Sequence, residues 1–298
     1  LEMIKFYLII IFSSVLLGNN NQSNSIYFFS KNARTLSISS IHSISNDING
    51  LFYQPINNQK NIKGNSYLSY SSIYDNQFSV LQLGYCLKSN DKRNISIGFI
   101  KRDINNLYDT NNAWDYNQYL IPDLNNIDYE NISNLLYEDI GFVINYDKYN
   151  KNKIISLKLK PYYTRITSNE SFGIDIDLMY SIINNNYTII LGAENLISEK
   201  KWGSSIYERN DLKYFFSNSI KINQITFFSE FNNIDSKKIA LEYNLNNIIY
   251  IRFGYDNKNK ETFGFGLSSD IFDINYAYFN SEFNLGASSQ VSILFRTN

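Results

Sequence analysis

The sequence is poor in the residues on which catalytic and metal sites depend. Its 298 residues include one cysteine, Cys86, and one histidine, His42. A lone cysteine excludes an intramolecular disulfide. The cysteine and the histidine together supply too few ligands for a zinc site of the usual kind. Catalysis by a nucleophile generally needs a histidine as base, and a neighbouring pair such as His42-Ser43 is too common to indicate a dyad. We therefore predict that the protein is not an enzyme and has no catalytic residue, metal or cofactor.

The chain also has few prolines and almost no net charge. The chain has 3 Pro beside 25 Tyr and 21 Phe, and its formal net charge is -1. Aromatic residues fit a pleated, half-buried surface, so the composition favours β-strands. A near-neutral chain lacks the basic field that nucleic-acid binding requires. We expect a β protein without a nucleic-acid partner.

Long hydrophobic runs are absent except at the start of the chain. Lys5 precedes about a dozen apolar residues that end at Gly18, and a polar run follows from Asn19 to Ser25. This is the pattern of a secretory signal peptide, and it falls short of the roughly 20 residues that span a bilayer. We interpret residues 1–25 as a signal peptide; a membrane anchor or a buried N-terminal helix is the alternative.

Alternation of apolar and polar residues dominates the body of the chain. Ile239, Leu241 and Tyr243 alternate with Lys238 and Glu242, and several other segments repeat the pattern. In a strand such alternation makes one apolar and one polar face. Segments of ten or more residues, a charged polar face and aromatic residues near segment ends favour a membrane barrel, in which the polar face lines the lumen. A soluble, exported β-sandwich is the alternative fold.

The segments number about fourteen, an even count as in single-chain bacterial barrels. We predict an all-β, antiparallel up-and-down transmembrane barrel in residues 63–298, located in the bacterial outer membrane and in contact with its lipid. The predicted strands are 64–73, 77–88, 93–103, 137–147, 153–166, 171–183, 187–198, 211–221, 224–233, 237–246, 248–257, 260–269, 271–279 and 286–297. Turns at one end are short, and most loops at the other are longer.

The largest loop runs from about Asp103 to Leu136 and contains Trp114, Asp115 and Pro122. Loops of this length are usually functional or disordered. Two readings stay open, a lid or partner-binding surface and a solvated, variable loop.

Residues 26–62 do not follow the strand pattern. The segment contains Ala33-Arg34-Thr35-Leu36 and, later, Asp47-Ile48-Asn49-Gly50 followed by Phe52-Tyr53-Gln54-Pro55. This order resembles the opening of the PorV/PorQ group of FadL-like outer-membrane proteins, although Ser39-Ser40 stands where that group has a glycine pair. The resemblance continues through Gly173-Ile174-Asp175-Ile176-Asp177-Leu178 and the later motif Leu191-Gly192-Ala193-Glu194-Asn195-Leu196.

The resemblance implies that residues 26–62 fold into the lumen as a hatch, or plug. Its matching or neighbouring residues are Ala33, Arg34, Leu36, Asp47, Gly50, Tyr53 and Pro55. By strand parity we expect these charged residues to face the lumen: Asp175, Asp177, Lys238, Glu242, Arg252 and Asp273. Because a charge in a low-dielectric wall needs a partner or water, we expect a salt bridge between the plug and the wall at Arg34 or Asp47.

The resemblance leaves several functions open. It favours a substrate-binding or shuttle component of type IX secretion, with secreted proteins or secretion-pore subunits as partners. The alternatives are a FadL-like transporter of hydrophobic small molecules, with such a molecule as ligand, and a purely structural outer-membrane protein.

Overall fold

Long antiparallel strands form almost all of the protein. The computed structural model describes residues 25–57, 62–104, 107–110, 112–113, 127–233, 237–257, 260–280 and 286–297. The predicted signal peptide lies outside these residues except for Ser25, as do Trp114, Asp115 and Pro122 of the predicted loop. The strands of the described residues, numbered along the chain, are β1 (Ser66–Ile73), β2 (Phe78–Asn90), β3 (Arg93–Ile104), β4 (Tyr108–Asp109), β5 (Ser133–Asn134), β6 (Tyr137–Asn150), β7 (Lys153–Ile166), β8 (Asn169–Ile183), β9 (Tyr187–Trp202), β10 (Tyr207–Glu208), β11 (Lys213–Ile222), β12 (Ile225–Asn232), β13 (Lys237–Leu245), β14 (Ile249–Asp256), β15 (Lys260–Ser268), β16 (Phe272–Asn280) and β17 (Ala287–Phe295).

Fourteen of these strands close into one antiparallel barrel. Each pairs with the next barrel strand along the chain, and β1 pairs with β17 through contacts such as Tyr67 opposite Leu294. The short strand β10 adds to β9, while β4 and β5 form a separate two-stranded sheet. Closure removes every free edge, so each barrel strand has its backbone partners on both sides.

The two faces of the barrel wall differ as the alternation predicts. On β13, Ile239 is 61% exposed on the outside, whereas its neighbour Lys238 is 6% exposed and faces the lumen. Leu83, Tyr85, Phe142 and others repeat this outward apolar pattern. A closed barrel with satisfied backbone groups and an apolar outer face is one of the two structures that can span a bilayer. The chain is an outer-membrane β-barrel.

The predicted strands match the structure, with ends that differ by a few residues. The largest differences lie at β6, which ends at Asn150 instead of 147, and at β9, which ends at Trp202 instead of 198. The pairing of β8 with β9 shifts between Ile176 and Leu178, where a bulge around Asn195, with φ of 57°, extends β9. The two-residue strands β4, β5 and β10 were not predicted, because alternation is unreadable over two residues.

Short turns gather at one end of the barrel, here called the short-turn end. They join the strands at residues 91–92, 151–152, 184–186, 223–224, 246–248 and 269–271. At the opposite, long-loop end the connections 105–136, 203–212 and 281–286 are longer, whereas those at 74–77, 167–168, 233–236 and 257–259 have two to four residues. In bacterial barrels the short turns face the periplasm. No helix among the described residues is long and apolar enough to cross a membrane.

Candidate functional site

Of the predicted plug, the structure describes residues 26–57 and Ile62. Residues 25–57, called the plug from here on, lie inside the barrel and contain short helical turns. The helix Ala33–Ser37 starts at Asn32, whose side chain accepts a hydrogen bond from the backbone of Thr35 at 2.8 Å. A second turn, Ile48–Gly50, is capped by Asp47, whose carboxylate accepts the Ile48 N–H at 2.8 Å. Capping satisfies the free N–H groups of so short a segment and fixes its direction.

Ser39 and Ser40 turn the chain after the first helix. Both have positive φ, 55° and 56°, a region in which a side chain is disfavoured. The backbone and hydroxyl of Ser39 contact Thr262 Oγ1 of β15 at 3.1 and 3.2 Å. A glycine, which has no Cβ, would adopt these angles without steric cost.

One side of the plug packs on the wall made by β1, β2, β3, β6 and β7, here called the apolar side. Glycines in the wall allow this approach: a Cβ at Gly98 would lie 2.6 Å from both Leu51 Cδ2 and Phe52 Cζ. Burying each such side chain contributes about 1.5–3 kcal/mol. The buried residues that form this cluster are Ile26, Tyr27, Ile48, Leu51, Phe52, Ile56, Ile62, Tyr67, Val80, Cys86, Ile100, Val143, Tyr162 and Leu294.

Tyr27 fills a gap in the strand ladder on this side. Pro161 lies in the middle of β7, where it has no N–H to donate to the facing Phe142 of β6. The Tyr27 hydroxyl lies 2.6 Å from the carbonyl oxygen of Phe142 and 2.7 Å from that of Pro161. A plug side chain thereby donates the hydrogen bond that the wall lacks.

Lys158 of β7 holds the middle of the plug. Its side chain is fully buried, and its Nζ donates to the carbonyl oxygens of Leu51 at 2.8 Å and Gln54 at 3.0 Å and to Asn145 Oδ1 at 2.7 Å. An ammonium group with three acceptors satisfies its three donors. Lys158 was not predicted as a site residue, because its acceptors are plug carbonyls that no side-chain pattern reveals.

The opposite side of the plug, here called the ionic side, meets charged groups of β9 and β11–β16 and Arg296, which follows β17. Arg34 Nε and Nη2 lie 3.0 and 3.2 Å from the two oxygens of Glu242 on β13. Arg252 of β14 also contacts Glu242, with Nε 2.6 Å from Oε2, and donates to Asn275 Oδ1 at 2.9 Å. One carboxylate is shared by a plug arginine and a wall arginine, so a charged network links the two.

Asp47 makes a second ionic link near the short-turn end. Its Oδ2 lies 2.9 Å from Nε of Arg296, and its Oδ1 accepts a hydrogen bond from Asn65 Nδ2 at 2.8 Å. Arg296 also pairs with Asp273 of β16. Both residues at which the sequence predicted a plug-to-wall salt bridge, Arg34 and Asp47, therefore form one.

His42 is the centre of the ionic side. Its ring is fully buried between Tyr53, with centroids 4.0 Å apart, and Phe215, with centroids 3.6 Å apart. Glu230 Oε2 of β12 lies 2.8 Å from His42 Nδ1 and 2.7 Å from its backbone nitrogen. The other ring nitrogen, Nε2, lies 3.4 Å from Glu194 Oε1, at an angle that does not make a hydrogen bond.

Two lysines complete this cluster. Lys213 Nζ lies 2.5 Å from Glu194 Oε2, and Lys238 Nζ lies 3.4 Å from Glu230 Oε1 and donates to the plug carbonyl of Ser40 at 3.0 Å. The two wall carboxylates and two wall ammonium groups balance one another around the histidine. The only histidine of the chain is thus a plug anchor, held between two carboxylates and two aromatic rings.

Aromatic side chains lie where the plug approaches the long-loop end. Phe29 makes edge contacts with Phe28 at 5.2 Å and with Phe78 of β2 at 4.9 Å, and Phe28 is 67% exposed. The Lys31 ammonium lies 5.2 Å from the ring centre of Tyr53. Burial among these groups, with neighbouring lysines, lowers the pKa of Lys31 to about 7.

A cavity of about 880 Å³ lies between the plug and the short-turn end. Its walls carry mainly amide, hydroxyl and charged side chains, including Arg34, Asp47 and Glu242. Its asparagines are Asn46, Asn49, Asn57, Asn152, Asn184, Asn185, Asn186, Asn244 and Asn275. The volume lies in the range of about 300–1,000 Å³ found for small-molecule sites, but the polar walls differ from the mostly apolar lining usual there.

The residues predicted from the sequence lie along the plug and on the lumen face. Asp175, Asp177, Lys238, Glu242 and Arg252 are buried on that face, and Asp273 is half-buried at its short-turn end. In the plug, Ala33 is buried and Leu36 is half-buried. Gly50 is tightly packed, since a Cβ there would lie 2.5 Å from Ser45 Cβ. The Tyr53 hydroxyl donates to the Ser40 carbonyl at 2.9 Å, and the Pro55 carbonyl accepts from the Ser45 backbone N–H at 3.0 Å.

The plug contacts that the sequence did not predict come from residues far apart along the chain. These residues are Tyr27, Lys158, Glu194, Lys213, Glu230 and Arg296. Strand parity places a side chain on the lumen face but does not say which plug residue it meets.

Comparison with solved structures finds the same barrel fold in three other proteins. The chain matches the toluene transporter TodX of P. putida with a TM-score of 0.60 and 8% identity, over 90% of this chain and 98% of that one. The monoaromatic hydrocarbon channel CymD gives 0.55 and 9%, over 90% and 97% of the two chains. A FadL homologue of Pseudomonas aeruginosa gives 0.53 and 9%, over 90% and 98%.

No family model matches the chain, and no curated protein matches it. At 8–9% identity the likeness shows a shared fold. Membership of the PorV/PorQ group stays a prediction from the sequence.

Proposed function

We propose that the protein is a plugged outer-membrane channel through which small molecules pass when the plug shifts. The observation that carries this proposal is the fixing of the plug on its ionic side by side-chain pairs, with an 880 Å³ cavity directly beneath. Arg34, Asp47, Glu242 and Arg296 line this cavity, so water in it can take the place of a lost partner when these pairs separate as the plug shifts. The channel fold of the solved neighbours supports the same reading.

A reversible crosslink between plug and wall tests this proposal. The hydroxyl oxygens of Ser39 and Thr262 lie 3.2 Å apart, so Ser39→Cys with Thr262→Cys, in a Cys86→Ser background, brings two thiols close enough for a disulfide. We expect a lower ionic current across planar bilayers for the oxidised protein than for the same protein after reduction. The reduced form and the two single-cysteine variants are the controls.

Equal currents for fully crosslinked and reduced protein would show that passage does not need the plug to move. A reduced protein with no current above that of protein-free bilayers would refute the channel itself.

Two more specific functions are further candidates: passage of a hydrophobic small molecule, and a shuttle role in secretion. A hydrophobic small molecule is favoured by the exposed aromatic group at the long-loop end, Phe28 with Phe29 and Phe78, and by the titles of neighbours that handle toluene and monoaromatic hydrocarbons. A shuttle role in type IX secretion is favoured by the sequence motifs and by the long segment between β3 and β6. Purification from native membranes separates these: bound lipid or hydrocarbon supports the first, and a stoichiometric secreted protein or secretion-pore subunit supports the second.

A further inference from the structure

We infer that the route through this barrel is hydrophilic and that the cavity beneath the plug binds small, neutral molecules rich in hydroxyl groups, of the saccharide class. This inference rests on the proposed channel function and names its substrate class. It starts from the difference between the two sides of the plug: the apolar side is packed, and the open space lies against the polar and ionic groups.

The cavity wall is built for hydrogen bonding. Nine of its lining residues are asparagines, and only five have hydrocarbon side chains, namely Ile44, Ile154, Ile183, Phe228 and Leu267. Each amide offers two donors and a carbonyl acceptor, the mixture that a hydroxyl group matches, since a hydroxyl both donates and accepts. A hydrocarbon in this space would displace water from these groups and leave them unpaired, which costs about 1–3 kcal/mol for each group.

Six of the nine charged residues that line the cavity are paired with one another, and the other three, Asp91, Lys151 and Lys221, lie exposed at its outer rim. Arg34 and Arg252 share Glu242, and Arg296 lies between Asp47 and Asp273. An anionic ligand would compete with carboxylates already bound to these arginines, and a cationic ligand would compete with the arginines. A neutral ligand takes the remaining hydrogen-bonding capacity without breaking the pairs.

Tyrosines add flat surfaces to the polar wall. Tyr149, Tyr187 and Tyr250 line the cavity, and Tyr187 is 43% exposed. A tyrosine ring combines an apolar face with a polar tip. The C–H face of a sugar ring can pack on such a surface while its hydroxyl groups reach the amides.

The cavity also lies where an opening would begin. Arg34 and Asp47, two of the plug residues tied to the wall by ion pairs, line its surface. Movement of the plug away from the ionic side would therefore join this cavity to the lumen above it. The packed contacts at Gly98 and the hydrogen bond of Tyr27 on the other side would stay in place.

Current block by added solutes tests the substrate class. With the reduced crosslinking variant in a planar bilayer, sucrose, gluconate and toluene are added in turn on the side of the short turns. We expect sucrose to reduce the current in a saturable way, and we expect gluconate and toluene to have little effect. Entry of sucrose into protein-containing liposomes, followed by swelling, provides an independent measure.

Thr188 and Ser219 supply the discriminating variant. They face one another across β9 and β11, line the cavity, and Thr188→Leu with Ser219→Leu replaces two hydroxyls by hydrocarbon. We expect sucrose block to weaken on the order of tenfold, as the loss of two hydrogen bonds implies. Ile189→Leu with Ile220→Leu on the same two strands, on the outward parity, is the matched control and should leave the block unchanged.

The outcomes separate this inference from the proposed function. A current that toluene blocks and sucrose does not would overturn the hydrophilic route but leave the channel intact, and a stronger block by gluconate than by sucrose would overturn neutrality. An equal sucrose block in the leucine pair and its control would remove the cavity as the binding site. Absence of any current in wild-type and reduced protein would refute the channel function.

Discussion

The two sides of the plug are held by different physical means. On the apolar side, Leu51 and Phe52 lie directly on the glycine positions of β2 and β3, and their contact is favourable because it excludes water. On the ionic side, Arg34, His42 and Asp47 each meet a charged wall residue. The favourable energy of packing decreases gradually as two surfaces separate. Removal of one partner of a buried ion pair, in contrast, leaves the other charge uncompensated in a single step.

The division is not complete, because the strands of the apolar side also carry buried charges, namely Arg102, Asp139, Asp147, Lys160 and Lys158. Among these, Lys158 binds the plug backbone. The plug partners of Lys158 are backbone carbonyls, however, and not a carboxylate. Lys158 therefore fixes the backbone path of residues 50–54, and the pairs on the ionic side fix the side chains. A plug that moves would keep the Lys158 hydrogen bonds and break the side-chain pairs on the ionic side.

Removal of the carboxylate beside His42 is expected to have the largest effect. In Glu230→Gln, the His42 ring, its backbone N–H and Lys238 lose their common anion in a fully buried place. Breaking such a buried pair costs about 3 kcal/mol or more. We expect deuterium exchange of plug amides 38–46 to accelerate on the order of a hundredfold, as measured by mass spectrometry.

Glu261→Gln is the matched control, because Glu261 is exposed on β15. It should leave plug exchange unchanged. Equal protection in the Glu230 variant and the wild type would mean that packing alone holds both sides, and the contrast between them would disappear.

A clash on the apolar side is expected to have a smaller effect. In Gly98→Ala the new methyl group would lie 2.6 Å from Leu51 and Phe52, so both side chains must retreat from the wall. Overpacking of this kind costs about 1–3 kcal/mol. We expect faster exchange in residues 48–54 with little change around His42, since the two contacts lie on opposite sides.

Gly203→Ala provides the comparison, because its Cβ would meet nothing closer than the Glu170 carbonyl at 3.8 Å. If Gly98→Ala loosened residues 38–46 as strongly as residues 48–54, the plug would move as one rigid unit and the proposed one-sided opening would be wrong.

The barrel could be predicted from the sequence because lipid and lumen impose opposite demands on alternate residues. Ile239 and Lys238 differ in exposure for this reason, and the same rule located the strand ends to within a few residues. The rule does not apply inside the lumen. The plug is a short, serine-rich segment without a period, and its contacts join residues as distant as Arg34 and Glu242, 208 positions apart.

Part of the site was nevertheless readable. Arg34 and Asp47 could be chosen because a charge enclosed by a wall needs a partner. The sequence did not predict His42 as an anchor, because that role depends on Glu194 and Glu230. The Glu194 position in turn depends on the bulge in β9. Bulges and plug turns are fixed by tertiary contacts, which local sequence does not specify.

A substitution in the turn at Ser40, between the two sides of the plug, is expected to have the smallest effect and to stabilise the docked plug. Ser40 has a φ of 56°, and its carbonyl accepts bonds from Tyr53 and Lys238, so its backbone position matters more than its side chain. Glycine adopts this conformation without steric cost, and Ser40→Gly should therefore stabilise the docked plug by roughly 0.5–1 kcal/mol despite the added freedom of the undocked chain. We expect slower exchange of residues 38–46 and a lower current through the channel. Ser40→Ala, which keeps a Cβ, should show neither change; a similar gain in both variants would mean that the serine hydroxyl, and not the left-handed backbone, disfavours docking.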